Sequence, residues 1–227
     1  MKLIYTASQV REAEKPYIEA ADYDGYLMQR AADAVAAEAQ ELLHGKDTAK
    51  ILLLIGPGNN GADTIYAGAR LSAKGHRVDA VIFDPSEKNL ELIAREGGEG
   101  TRVLDPEHTL EHLAGYDLTI DGILGTGSSG AVRGSAGEYL GVLRAAQLDG
   151  KLGAVLAVDT PSGVDNNRGT VHEPSLHADR TVTFIGHKLP AGTSHSVHSG
   201  DIKLYDLGVP EALDAHKPAL RVLERED

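Results

Sequence analysis

Short, continuous apolar runs alternate along the chain with longer segments in which apolar residues recur every three or four positions. The runs, of which Ile51–Ile55 and Ala154–Val158 are the clearest, are typical of strands that are buried on both faces of a parallel sheet. The periodic segments predict amphipathic helices. Because strands that alternate with helices favour right-handed crossovers, we predict an α/β fold with a mostly parallel, doubly wound sheet.

Seven strands are predicted in this way, and the third and seventh rest on the weakest patterns. They are Ile51–Ile55, Val78–Phe83, Val103–Leu104, Leu118–Ile120, Ala154–Val158, Thr181–Ile185 and Ile202–Tyr205. No internal repeat, low-complexity tract or linker divides the chain. We therefore expect residues 1–227 to form one domain, with a polar tail from about Asp214.

Two helices are predicted before the first strand. Thr6-Ala7-Ser8-Gln9 has the spacing of a capping box and predicts a helix through Glu14 that Pro16 disturbs. A second helix follows Gly25, where an apolar stripe consists of Leu27, Ala31, Val35, Ala39 and Leu42. Because the N-terminus leads directly into helical sequence, no signal peptide is expected.

The composition excludes several kinds of chemistry. The chain has no cysteine, which removes thiol nucleophiles, zinc–thiolate sites and disulfides. Its 34 Asp and Glu residues outnumber its 22 Lys and Arg residues, and the net charge of −12 disfavours binding to nucleic acid or to an anionic membrane. No apolar run approaches the length of a membrane span, so we expect a soluble, cytoplasmic protein.

The 26 glycines among 227 residues indicate many special turns, and several of them follow predicted strands. In open α/β sheets, ligands bind beyond the carboxyl ends of the strands. Gly56, Gly58 and Gly61 form a G-x-G-x-x-G pattern between the first strand and a helix, where backbone N–H groups and the helix dipole can bind phosphate. An ordinary strand-to-helix turn would have the same pattern.

Two further loops end at the same predicted edge of the sheet. Asp121–Gly130 is rich in glycine and, with the first loop, could hold both phosphates of a pyrophosphate, although a mobile surface loop has the same composition. Asp159 ends the fifth strand, where it either faces the ligand crevice or caps a rigid turn. Asn60, Asp121 and Ser162 thus lie at three strand tips, and one carboxylate with neutral oxygens suits a weakly charged hard cation.

Five segments resemble, in their order and spacing, the YjeF N-terminal domain family: GPGNNGADTIYAGARL, DGILGTGSSGAVRG, VDTPSGVDNNRGTV, ADRTVTFIGHKLPAG and DLGVP. The resemblance spans nearly the whole chain. It implies a Rossmann-like three-layer α/β/α sandwich with extra N-terminal helices, a homodimer and one bound potassium ion. Enzymes of this family are NAD(P)H-hydrate epimerases, which interconvert the R and S epimers of NAD(P)HX, a nicotinamide cofactor hydrated at C6, for use by a separate dehydratase.

The resemblance also implies roles for single residues. Asn60 and Asp121 would hold potassium, with Ser162 contributing. Asp159 would face the reacting nicotinamide, and it is the candidate acid/base for loss and re-addition of the C6 hydroxyl. Besides Asp159, the substrate would contact two stretches of the chain: Asn59, Asn60, Gly61, Ala62, Asp63, Gly125, Thr126, Gly127, Ser128, Ser129, Gly130 and Ala131.

The chain departs from the family pattern Asn-Asn-Gly-Gly-Asp-Gly at Ala62 and Thr64, whose side chains could narrow the pocket. A non-catalytic nucleotide-binding or scaffold module is therefore one alternative. An NAD-dependent dehydrogenase is another, in which Asp84 would hold a ribose hydroxyl. No dehydratase domain is evident, so that reaction would occur in trans or in a longer chain.

Two features outside these loops are ambiguous. Lys188 follows the sixth strand and could either reach a phosphate or be a surface lysine. Glu14 and Lys15 are expected on a solvated face of the first helix.

Overall fold

A seven-stranded sheet, parallel throughout, runs through the middle of the molecule. The structure, a computed structural model, describes residues 1–97, 100–127 and 130–223. The strands in these ranges are β1 (Lys2–Tyr5), β2 (Lys50–Ile55), β3 (Arg77–Ile82), β4 (Thr101–Val103), β5 (Leu118–Gly122), β6 (Ala154–Val158), β7 (Val164–Asp165), β8 (Thr170–Val171), β9 (Arg180–Phe184), β10 (His187–Lys188), β11 (Asp201–Tyr205) and β12 (Leu220–Val222). The helices are α1 (Ala7–Ile18), α2 (Tyr26–Leu42), α3 (Asn59–Ala73), α4 (Glu87–Glu96), α5 (Pro106–Leu110) and α6 (Gly134–Leu148).

The order of the central strands confirms the predicted α/β class. They run β11-β9-β6-β5-β2-β3-β4 across the sheet, and each predicted strand is found within a couple of residues of its expected bounds. From β2 the chain first builds outward through β3 and β4, and it then builds the other half from β5. Neighbouring β2 and β5 therefore form a topological switch point, where open α/β sheets bind their ligands.

Alternate residues of β2 explain the layered architecture. Ile51, Leu53 and Ile55 pack into the apolar core that includes α1, α2 and α3. Leu52 and Leu54 point the other way, into the core that includes α6. All five side chains are fully buried, as expected for a strand covered by helices on both faces. The result is the expected α/β/α sandwich.

The first helix begins as predicted but ends later. The Thr6 hydroxyl accepts a hydrogen bond from the Gln9 N–H at 3.2 Å, and the Gln9 side chain accepts one from the Thr6 N–H at 3.0 Å. These two bonds form the capping box. α1 then continues past Pro16 to Ile18, because a proline in the last turn removes only one hydrogen bond of the helix.

A second sheet, which the sequence pattern did not predict, joins the two ends of the chain. β1 pairs with β10 in parallel and with β12 in antiparallel orientation. The segment expected to be a polar tail therefore contains a strand, whose partner is distant in sequence. This sheet also positions the chain after β9, since Tyr5 lies opposite Lys188 in the ladder.

In the part of the chain that the structure describes, no helix combines the length and the apolar character needed to cross a bilayer.

Candidate functional site

A cavity of about 510 Å³ lies beyond the carboxyl ends of the central strands, at the switch point between β2 and β5. Its volume lies in the range of small-molecule sites. The loops after β2, β5 and β6 contribute to its wall, and α1 covers it from one side. Among the residues that line it are Val10, Arg11, Glu14, Pro57, Gly58, Asn59, Asn60, Asp63, Gly125, Thr126, Gly127, Asp159 and Lys188.

The loop after β2 is held close to the loop after β5. A Cβ atom on Gly56 would stand 1.9 Å from the carbonyl oxygen of Ile123, so only glycine allows this approach. From α4, the buried amide of Asn89 donates hydrogen bonds to the carbonyl oxygens of Gly56 at 2.9 Å and Gly58 at 3.2 Å. Sequence reasoning missed Asn89, because nothing in its local pattern distinguishes it from a surface residue of α4.

α3 opens onto the cavity. The helix begins at Asn59, within the G-x-G-x-x-G pattern, with Gly58 as its N-cap. The first-turn N–H groups, which have no partner within a helix, therefore lie at the cavity wall. This is the arrangement in which helix N-termini bind phosphate.

Asn60 ties the loops after β5 and β6 to α3. Its amide nitrogen donates to the carbonyl oxygen of Leu124 at 3.1 Å and to that of Val158 at 2.6 Å. A Cβ atom on Gly125 would come within 2.2 Å of the Asn60 side chain. The second glycine-rich loop is thus packed against the first, as the sequence suggested.

Asp121 and Ser162 form a buried pair beside Asn60. The Asp121 carboxylate accepts hydrogen bonds from the Ser162 hydroxyl at 2.6 Å, the Ser162 N–H at 2.8 Å and the Ile123 N–H at 3.3 Å. Burial raises the pKa of Asp121, and these hydrogen bonds oppose that rise. The Ser162 hydroxyl also accepts from the N–H of Leu124, whose carbonyl contacts Asn60. Asn60, Asp121 and Ser162, the three predicted cation ligands, therefore all contact the backbone of Ile123 or Leu124.

Asp159 is held in an unusual conformation at the end of β6. Its φ of 65° lies in the left-handed region, which is uncommon for residues other than glycine. One carboxylate oxygen accepts from the Lys188 ammonium at 2.5 Å and from the Thr183 hydroxyl at 3.2 Å. The other accepts from the Thr126 N–H at 2.9 Å and from the Thr126 hydroxyl. Four donors thus surround this carboxylate at the cavity wall.

Lys188 is buried, so its interpretation as a surface lysine is wrong. Only 4% of its surface is exposed, and its three donors are used by Asp159, by the Thr183 hydroxyl at 2.9 Å and by the Phe184 carbonyl at 2.9 Å. The cause is the pairing of β10 with β1, which folds this segment inward. Asp159 and Lys188 form an ion pair with almost no contact with water.

Two more carboxylates face the same cavity. Asp63, from α3, is 6% exposed, and no described residue donates a hydrogen bond to it. Burial, and then the charges of Asp159 and Glu14, raise its pKa well above the usual value, which Lys88 opposes. Glu14, from α1, is half-buried, and burial raises its pKa while Lys188 lowers it. The expected solvated face therefore holds for the exposed Lys15 but not for Glu14.

The two positions that depart from the family pattern lie away from the cavity. Ala62, in the first turn of α3, is buried in the hydrophobic core. Thr64 is fully buried, and its hydroxyl donates to the carbonyl oxygen of Asn60 at 2.7 Å. Thr64 faces β5, since a Cβ atom on Gly122 would meet its hydroxyl, and neither Thr64 nor Ala62 is among the residues that line the cavity. The expectation that they narrow the pocket is therefore not met.

The structure gathers part of the predicted substrate-binding set at the cavity. The residues of that set that line it are Asn59, Asn60, Asp63, Gly125, Thr126, Gly127 and Asp159. Gly61, like Ala62, is buried within α3, whereas Gly130 and Ala131 are half-exposed beyond the cavity wall. Ser128 and Ser129 lie outside the described residues.

Comparison with known families identifies the chain. The sequence profile described as "YjeF-related protein N-terminus" matches residues 25–189, which is more than half of the chain. The chain belongs to this family. The resemblance noted from the motifs is thereby confirmed.

Relatives of this YjeF-family chain carry two kinds of name. An "NAD(P)H-hydrate epimerase" of Microbacterium testaceum is 36% identical over 220 residues, which cover 95% of this chain and 82% of the relative. A "Bifunctional NAD(P)H-hydrate repair enzyme Nnr" of Mycobacterium tuberculosis is 31% identical over 92% of the chain. The chain spans only 42% of the length of that bifunctional protein.

A solved structure supports the family's fold for this chain. The crystal structure of the yeast protein ynu0 superposes with a TM-score of 0.71 and covers 88% of this chain and 86% of its own. At 20% sequence identity, this likeness concerns the fold alone.

Proposed function

We propose that this YjeF-family chain is an NAD(P)H-hydrate epimerase that interconverts the R and S epimers of NAD(P)HX. The observation that carries the proposal is the buried Asp159–Lys188 pair at the wall of a cavity framed by two glycine-rich loops. Relatives that cover most of the chain and are named for this activity support it. Ala62 and Thr64, which favoured a non-catalytic module, lie away from the cavity.

The cavity offers distinct places for the pyrophosphate and the nicotinamide of the substrate. Backbone N–H groups at the start of α3 can bind the pyrophosphate and provide local positive potential in a chain of net charge −12, with the Gly125–Gly127 loop in the same cavity wall. Arg11, which is exposed and lines the cavity, adds a cation at the rim. The nicotinamide would then lie against Asp159.

The chemistry requires one proton transfer to the oxygen of the leaving hydroxyl and one from the oxygen of the entering water. The lone pair of ring nitrogen N1 expels the C6 hydroxyl once that hydroxyl is protonated, and water leaves behind an iminium ion. Water then adds to C6 from the other face and loses a proton, which restores the lone pair on N1. Asp159 is the candidate acid/base because it lies at the cavity wall, within reach of a bound ring.

Potassium, homodimer formation and a cytoplasmic location belong to the proposal as well. Asn60, Asp121 and Ser162 supply the oxygen chemistry that a hard, weakly charged cation prefers. Asn60 directs its amide nitrogen to two carbonyls, so it would have to present its oxygen instead to hold the ion. A bound potassium ion would supply charge compensation near the substrate. The bifunctional relatives support coupling to a dehydratase.

The decisive experiment is a chromatographic assay of epimer conversion with purified R-NADHX, with and without potassium. The wild-type chain is expected to convert R-NADHX to the equilibrium mixture of epimers faster than the uncatalysed background reaction does. Asp159→Asn should lower the rate by about 100-fold or more, since general acid–base groups contribute about 10²–10⁴-fold. Asparagine tolerates the left-handed backbone but leaves the buried Lys188 without its counter-charge, so the rate is compared per folded molecule and substrate binding is measured separately.

A matched control is Asp84→Asn. Asp84 also has a left-handed backbone, with φ of 43°, but it is exposed and is not among the residues that line the cavity. Epimerisation should be unchanged in this variant. Ligand binding without turnover by the wild type would instead identify a binding module. Hydride transfer from intact NADH, lost in Asp84→Asn, would identify a dehydrogenase.

A further inference from the structure

We infer that Asp63 is a second catalytic acid/base of the site, and that Asp63 and Asp159 act on the two faces of the nicotinamide ring. The inference rests on the proposed epimerase function and deepens it. Asp63 comes from α3, whereas Asp159 comes from the end of β6, so the two carboxylates reach the cavity from different structural elements.

The reaction itself calls for two groups. The hydroxyl leaves C6 from one face of the ring, and water must enter from the other face for the configuration to invert. A side chain transfers a proton only to an oxygen within hydrogen-bond reach. A single carboxylate fixed beside a bound ring reaches one face, and used alone it would return water to the face from which water left.

The two carboxylates differ in the hydrogen bonds that they accept, as expected if one donates a proton and the other accepts one. Asp159 accepts four hydrogen bonds, two of them from Thr126 and one from the Lys188 ammonium, and this set suits an ionised carboxylate. Asp63 is 6% exposed, lines the cavity and receives no hydrogen bond from any described residue. Its carboxyl group is therefore available to a ligand.

The charges around Asp63 favour its protonated form. Asp159 and Glu14 face it from β6 and α1, and their negative charges add to the effect of burial in raising its pKa. Lys88, at the start of α4, opposes them with a smaller effect. Lys188 forms an ion pair with Asp159, whereas no described cation pairs with Asp63, so Asp63 is the carboxyl group that we assign as the proton donor.

The step balances without any further reactant. Asp63 gives its proton to the C6 hydroxyl, the C–O bond breaks with its electron pair going to oxygen, and the N1 lone pair forms the N1=C6 bond. Water then bonds to C6 on the other face, its proton passes to Asp159, and the π electrons return to N1. The site ends with the proton on Asp159 and with Asp63 ionised, which is the form that catalyses the reverse reaction.

Oxygen exchange tests this inference more sharply than the loss of activity does. In water enriched in oxygen-18, the wild-type enzyme should introduce label into both epimers as it inverts them. Asp63→Asn should lower inversion by about 100-fold or more but retain label exchange in one epimer, the one whose hydroxyl faces Asp159. Asp159→Asn should retain exchange in the other epimer only. Asp84→Asn should behave as the wild type.

The outcomes separate the inference from the function on which it rests. If Asp63→Asn inverts at the wild-type rate, or if it loses exchange equally in both epimers with a raised KM, then Asp63 only binds substrate and the inference is overturned. A wild-type chain that neither inverts nor exchanges overturns the epimerase function as well. Asp63→Ala, checked by circular dichroism, serves as a second variant if the asparagine variant does not fold.

Discussion

Two buried aspartates, Asp79 in β3 and Asp159 at the end of β6, differ in whether the cations paired with them reach solvent. Asp79 is fully buried and accepts hydrogen bonds from the Tyr116 hydroxyl at 2.8 Å and from Arg102 at 2.8 Å, with Lys50 at 3.8 Å. Its cations reach solvent, since the side chain of Arg102 is 60% exposed. Asp159 pairs with Lys188, and both side chains are withdrawn from water.

The difference separates structural charge from functional charge. The Asp79 cluster joins β3 to β4 and to the segment before β5, and both of its cations remain in contact with water. Both members of the Asp159–Lys188 pair are desolvated, which is energetically costly unless each charge compensates the other. Only the second cluster lines the cavity, and strained or desolvated groups of this kind concentrate at functional sites.

The largest effect is expected from Lys188→Met, which leaves Asp159 buried without its counter-charge. Removing one partner of a buried ion pair costs about 3–5 kcal/mol, so the free energy of unfolding in urea should fall by about that amount. Epimerisation should fall with it, because Asp159 would lose the ammonium group that holds its carboxylate in position. Lys46→Met is the matched control, since its ion pair with Asp117 is exposed and should contribute less than about 1 kcal/mol.

A double variant sharpens this prediction. In Asp159→Asn with Lys188→Met, neither charge remains buried, so much of the lost stability should return while epimerisation stays low. If the double variant is as unstable as Lys188→Met alone, the instability arises from lost packing of the lysine stem and not from the unpaired carboxylate.

A smaller effect, on stability alone, is expected from Asp79→Asn. The variant loses charge-assisted hydrogen bonds, each worth about 1.5–3 kcal/mol, but its cations Arg102 and Lys50 can turn to water. Urea unfolding should show a loss in that range, and the rate of epimerisation per folded molecule should match the wild type. A loss of activity without a loss of stability would show that the two clusters are coupled and that the distinction is wrong.

The sequence predicted the sheet and the three loops because both follow from local rules. β2 and β6 are continuous apolar runs, and the carboxyl ends of parallel strands necessarily meet at one edge, which brings Asn60, Asp121 and Asp159 together. Lys188 and Glu14 could not be placed in this way. Their positions depend on the pairing of β1 with β10 and on the packing of α1 over the cavity, both of which join segments far apart in the chain.

The smallest effect, and the one with the opposite sign, is expected from Asp63→Asn. The folded state raises the pKa of Asp63, so it binds a proton more tightly than the unfolded chain does. The free energy that this carboxyl group contributes to folding is therefore present below its unfolded pKa and is lost as the pH rises through the folded value. Asp63→Asn should match the wild type in acid and become the more stable protein at about pH 8, with a smaller difference near about pH 5.

Urea unfolding across this range measures the difference, and the free energy of unfolding of Asp79→Asn should lie below that of the wild type throughout. If Asp63→Asn is less stable than the wild type at every pH, then interactions within the protein stabilise the Asp63 carboxylate, and it is not available to a ligand.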